Sequence, residues 1–169
     1  LLESAVNAAN IRVFDKSRES KEFNGMGTTV VAVLIIGNTA YFTHAGDSRA
    51  YSLSGGELVQ ITRDHSLVEE LLEFGAITRE QAKVHPQRNV ITRALGSEEK
   101  VEPDYFEINL QNGDFLLLCS DGLSNIVSDL EMLEYAKEYP DPELLCQSLM
   151  RKALNRGAKD NVTVLAVMK

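Results

Sequence analysis

A chain of 169 residues, 44% hydrophobic and 25% charged, is long enough for one domain with a real core and has the composition of an ordinary globular protein. Its formal net charge of −8 argues against a nucleic-acid partner, because nonspecific affinity comes from neutralising phosphates with Lys and Arg. No apolar run approaches the roughly 20 residues that span a bilayer, and "LLESAVNAAN" lacks the basic flank of a signal peptide, so a cytoplasmic location without a membrane partner is expected.

Residues 1–18 carry Leu2, Ala5, Val6, Ala9 and Val13 at helical spacing. A Gly-rich hinge, "GMGTT" at 25–29, leads into the β-branched run 29–36, and Gly37-Asn38 is a tight-turn signal. Strands 39–45, 49–53 and 57–61 follow, the last two joined by Ser54-Gly55-Gly56, and together they read as an antiparallel meander. From Asp64 the pattern turns helical: "DHSLVEELLEFG" has an acidic first turn and a terminal Gly75, and Thr78 and Gln81 stand in capping-box register. Residues 62–95 therefore read as a mostly helical insertion between strands. Strands at 105–110 and 115–120, helices at about 128–138 and 142–155, and a final strand at 162–167 complete the chain. Cys119 and Cys146 sit among apolar residues and read as two buried, reduced thiols. One α+β domain, 1–169, built as an antiparallel β-sandwich flanked by helices, is the expected fold.

Three acids share one context. Asp47 follows "YFTHAG", Asp121 follows "FLLLCS", and Asp160 precedes "VTVLAV". Each alone has an ordinary explanation, since Asp and Asn at strand ends bond nearby backbone. Jointly they suggest more. Strand ends of one sandwich can converge on one rim, and crowded carboxylates stay ionised only where a cation compensates them. Hard divalent ions such as Mg²⁺ and Mn²⁺ take oxygen ligands of this kind.

Six segments in this order, "GMGTT", "AGDSRAY", "DHSLVEELLEFGAIT", "HPQRNVITRALG", "LLLCSDGLS" and "AKDNVTVLAV", resemble the metal-dependent Ser/Thr protein phosphatases of the PPM (PP2C) type, bacterial members above all. The resemblance implies a β-sandwich of two antiparallel sheets with helices on both outer faces. It implies Mn²⁺ or Mg²⁺ as cofactor, two ions or three, and phosphoprotein substrates of Ser/Thr kinases. Asp121 and Asp160 then correspond to ligands of the dinuclear centre, supported by Gly122 and Asn161. Asp47, after Gly46, corresponds to the acid that holds a further, weaker ion shared with Asp121. Residues 62–95 correspond to the flap beside the active site. In the family two ions activate a bridging water that attacks phosphorus, so no side chain of this chain is assigned as general acid or base.

The sequence departs from the family in one respect. A segment supplying an Arg for the substrate phosphate, and an Asp-Gly-Met-Gly-Gly segment supplying the bridging aspartate, do not precede Leu1. "NGMG" at 24–27 has Asn24 where an acid is required. The chain thus reads as the C-terminal two-thirds of a phosphatase, incomplete at the N-terminus. It is expected to bind metal weakly, to turn over phosphoesters poorly or not at all, and to dimerise through exposed sheet edges. A noncatalytic PP2C-like regulatory module is the alternative. Arg49 reads as a structural ion-pair donor, and Arg88 and Arg93 as solvated or structural cations with a phosphate contact as the second reading. His44 is expected to pack in a strand and His65 to sit in the first turn of a helix.

Overall fold

The computed structural model describes all residues, 1–169. Strands fall into a three-stranded sheet of order β1-β2-β5 and a four-stranded sheet of order β4-β3-β6-β7. Here β1 is Val30–Ile36, β2 Thr39–Ala45, β3 Arg49–Ser54, β4 Glu57–Gln60, β5 Asp104–Asn109, β6 Phe115–Cys119 and β7 Val164–Met168. The expected meander is therefore two hairpins, β1-β2 and β3-β4, in different sheets. The chain leaves one sheet at Ala45 and enters the other at Arg49, through Gly46-Asp47-Ser48. Gly46 makes the switch possible: its φ is +118°, and a Cβ there would stand 2.3 Å from Thr29 Cγ2. The strands on either side of Gln111-Asn112-Gly113 are likewise divided between the sheets.

The chain forms two compact units. The first comprises Leu1–Leu34, Tyr41–Asp47 and Arg63–Glu107. Its long helix α1, Leu2–Glu19, buries Val6, Asn10 and Ser17, with Val6 packed in a cluster with Ala45 and Leu95. Asn10 is the polar member of that stripe. Its amide donates to the carbonyls of Glu98 (3.1 Å) and Glu99 (2.9 Å) and accepts from the Gly96 N–H (2.8 Å), which ties the 96–99 turn to the helix. The segment after Arg63 is less helical than its periodicity suggests. It holds α2, Leu67–Glu73, capped by Ser66, and α3, Arg79–Lys83, with the Thr78/Gln81 capping box; the rest is irregular.

The second unit comprises Ile35–Ala40, Ser48–Thr62 and Ile108–Lys169. Its core lies between one face of the four-stranded sheet and three helices: α4 (Asp121–Ser124), α5 (Asp129–Glu138) and α6 (Pro142–Asn155). Tyr51, Phe115, Leu117 and Cys119 project from the sheet to meet Leu123, Val127, Met132, Ala136, Leu145, Leu149 and Ala153. The spacing of Leu145, Leu149 and Ala153 is the i, i+4, i+8 stripe of a helix with one buried face. All five residues of β6 are buried, because it lies between β3 and β7 and neither of its faces is exposed. That is why "FLLLC" shows no alternation. Neither Cys119 nor Cys146 is in a disulfide, but only Cys119 is buried; Cys146, on α6, is half-exposed.

Candidate metal centre

The register of the four-stranded sheet builds the site. Arg49 stands opposite Cys119, and Cys119 opposite Val164, with all three strands antiparallel to their neighbours. The chain leaving β6 therefore meets the chain entering β7, which brings Asp121 and Asp160 to one rim. Asp121 is the first residue of α4, a short turn missed in the periodicity, so its carboxylate is fixed by helical backbone as well as by the strand before it. Gly122, buried, lets the two segments touch: a Cβ there would lie 2.3 Å from the Asn161 carbonyl oxygen. Ser120 stitches the same junction. Its hydroxyl donates to Asn161 O (3.1 Å) and accepts from Thr163 N–H (3.0 Å), while its own N–H reaches Thr163 O (3.1 Å).

Electrostatics at this rim are strained in one direction. The Asp121 carboxyl is pushed above its ordinary value, first by burial and then by the neighbouring Asp160 charge. The Gly122 N–H, the Arg49 guanidinium and the Asn125 amide, which donates to Asp121 Oδ2 at 3.1 Å, only partly offset this. Two hard oxygen donors that repel one another, one of them partly desolvated, fit a divalent cation, which would reverse the sign of that repulsion. Asp160 itself is exposed, with Oδ1 accepting from the Asn161 N–H at 2.7 Å. Behind Arg49, its Nη1 donates to the buried Tyr51 hydroxyl (3.3 Å), which in turn donates to Asp129 (3.1 Å). Burial pushes the Tyr51 phenol well above its ordinary value, so it remains a neutral donor.

Asp47 belongs to the first unit, at the end of β2, half-exposed after the buried Gly46. His65, expected inside a helix, instead precedes the Ser66 cap and is buried against β2. Its ring stacks on His44 at 4.7 Å between centroids. Its backbone N–H donates to Gly46 O (2.7 Å), and its Nδ1 accepts from Gly46 N–H (3.2 Å). Nε2 lies 3.1 Å from Asp104 Oδ2. The His65 imidazole is pushed below its ordinary value, chiefly by burial. Arg93 Nη1 donates to Asp104 Oδ1 (3.0 Å) and Glu102 O (3.2 Å), a structural role. Arg88 donates to Lys83 O at 3.3 Å.

His44, His65 and Asp104 offer ligand atoms within 4.8 Å of one another. Chemistry argues against an ion there. Arg93 already supplies the positive charge to Asp104, and the one His65 nitrogen with a lone pair is engaged by Gly46.

Of the residues predicted from sequence, Asp121, Asp160, Gly122 and Asn161 meet at one rim, and Gly46 and Asp47 form the connection between sheets. Asn125, Ser120, His65 and Asp104 escaped the sequence reading. Asn125 alone had a visible signal, its i+4 spacing from Asp121 on a helical turn.

Asp121 and Asp160 thus form a two-carboxylate rim where the chain leaves β6 and enters β7. The family model of protein phosphatase 2C matches residues 1–162, and the chain belongs to that family. It is similar to the serine/threonine phosphatase stp of Listeria monocytogenes serotype 4b (strain F2365), 42% identical over 166 residues, which are 98% of this chain and 66% of that protein. It thus spans just under two-thirds of that relative's length. Among solved structures, the Mycobacterium tuberculosis serine/threonine phosphatase PstP/Ppp superposes with a TM-score of 0.92 at 43% identity, covering 99% of this chain and 71% of that one. The catalytic domain of serine threonine protein phosphatase PstP in complex with 2 manganese ions gives 0.89 at 41% identity, covering 98% and 68%. The PP2C-like α+β fold expected from sequence is thereby established. No helix of the chain is long and apolar enough to cross a membrane.

Proposed function

We propose that the protein is a cytoplasmic, metal-dependent hydrolase of phosphoserine and phosphothreonine in proteins, with Asp121 and Asp160 as metal ligands and Asp47 as ligand of a further ion. The observation that carries this reading is the meeting of Asp121 and Asp160 at one rim, where the register of β6 and β7 and the close approach at Gly122 bring the two carboxylates together. Relatives named as serine/threonine phosphatases, one of them solved with two manganese ions, support it. They also disfavour the noncatalytic module.

Mn²⁺ or Mg²⁺ held there would acidify a bound water and neutralise charge on the phosphoryl group. The chain's own residues hold and aim. Asp121 and Asp160 supply oxygens, Asn125 fixes the orientation of Asp121, and Gly122 lets the Asn161 backbone come close enough for the pair to share a cation. Arg49, anchored through Tyr51 to Asp129, limits the repulsion. Residues 62–95 would act as the flap that selects phosphoprotein substrates. The outer edge of β7, with Leu165 and Met168 half-exposed, supports association by strand pairing.

The test uses the complete protein and a phosphothreonine peptide. Turnover is expected only with Mn²⁺ or Mg²⁺, and D121N or D160N should lower it by more than the about 10–100-fold typical of residues that merely support a ligand. A folded, complete protein without metal-dependent turnover would overturn the reading in favour of the binding module.

A further inference from the structure

Every backbone polar group of Gly46 is held by one residue, and that residue is distant in sequence. The His65 N–H donates to Gly46 O at 2.7 Å, and the Gly46 N–H donates to His65 Nδ1 at 3.2 Å. A nitrogen that accepts cannot carry a proton, so in the neutral ring the hydrogen sits on Nε2. There it points at Asp104 Oδ2, 3.1 Å away. Arg93 Nη1, 3.2 Å from Nε2, is a second donor and so is no partner of the ring; it is held by Asp104 Oδ1 and Glu102 O. Asp104 therefore selects the tautomer, and the tautomer makes the grip on Gly46 possible. His44 stacks on one face of the ring, and His65 is buried. Gly46 itself has a φ of +118°, and Thr29 lies so close that a Cβ there would clash, so only glycine fits this turn.

We propose that His65 is a positioning residue for the Asp47 loop: it clamps Gly46 through Nδ1 and its own N–H, in a tautomer fixed by Asp104, and so sets where the Asp47 carboxylate is delivered. The inference rests on the reading of Asp47 as a metal ligand. It also gives the start of the 62–95 segment a direct mechanical link to that ligand. Outer-shell partners that hold a metal ligand in place typically change metal affinity about 10–100-fold when lost, and His65 acts one residue away from Asp47.

The test is made on the complete protein. Imidazole ¹⁵N spectra should show His65 protonated at Nε2 and bare at Nδ1, and a proton on Nδ1 at neutral pH overturns the clamp. Mn²⁺ titration by calorimetry should lose its weakest site in D47N. H65L should weaken that same site by about 10–100-fold, leaving the tighter sites unchanged, and should speed exchange of the Gly46 amide. H65N, whose Oδ1 can still accept from Gly46 N–H, should recover most of the loss. H65L without effect on a site that D47N abolishes overturns the positioning role alone. D47N without effect on Mn²⁺ binding removes the metal reading of Asp47, and the positioning role falls with it.

Discussion

Replacing Gly122 with alanine sets two local effects against each other. Gly122 lies in α4 with ordinary helical backbone, so alanine gains about 1 kcal/mol of helix propensity. Its Cβ, however, would stand 2.3 Å from Asn161 O and 3.0 Å from the Asn161 carbonyl carbon. Restoring a normal carbon–oxygen contact of about 3.3–3.5 Å requires the α4 turn and the 160–162 segment to part by about 1 Å. Backbone is on both sides, so no flexible side chain can absorb the movement. Overpacking of this kind costs about 1–3 kcal/mol, and the two Ser120 hydroxyl bonds that cross the junction are lost or stretched at about 1 kcal/mol each. The clash wins. G122A should be destabilised by about 2–3 kcal/mol net, a fall in Tm of about 4–12 °C for a chain of this size. Circular-dichroism melting measures it directly, and Mn²⁺ titration should show weaker binding because Asp121 and Asp160 are pushed apart. A variant melting within about 1 °C of wild type, or above it, would mean that the propensity gain prevails and that the close approach is not what holds the rim together.

Asn10→Ala removes three hydrogen bonds from a buried amide and leaves the Gly96 N–H without its acceptor. The expected cost is about 2–3 kcal/mol by urea unfolding; a loss near zero would show that water replaces the amide at no cost. Glu131 is held far below its ordinary range, at about 2, mainly by the Arg156 guanidinium. A carboxyl whose folded pKa is depressed contributes stability above its ordinary value of 4.5 and loses it as pH falls toward about 2. The Tm gap between wild type and E131Q should therefore be widest at about pH 7 and close by about pH 2. A gap that stays constant across that range refutes the assignment.

Elements with a strong local signal were legible in the chain. The strand 39–45, the capping box at Thr78 and the Pro142 start of α6 follow from propensity and termination chemistry alone. The sheet assignment was not. Consecutive strands with short connections look like a meander, yet three residues containing Gly46 suffice to move the chain from one sheet to the other. His65 was misplaced for a related reason: "DHSLVEELL" carries an acidic start, but the Ser66 hydroxyl outcompetes Asp64 as cap, receiving the Glu69 N–H at 3.3 Å.

What the sequence by itself determined is the set of chemical parts: an apolar post ending in Asp121, a second acid before the last strand, and six ordered segments that mark the family. Those are covalent facts, readable in one dimension. What only the tertiary structure decided is which parts act on one another. Asp121 and Asp160 are 39 residues apart and meet because β6 and β7 pair in one antiparallel register. His65 and Gly46 are 19 apart and meet because the chain folds back against β2. Hydrogen-bonded register and burial are properties of several segments at once, so no single segment encodes them.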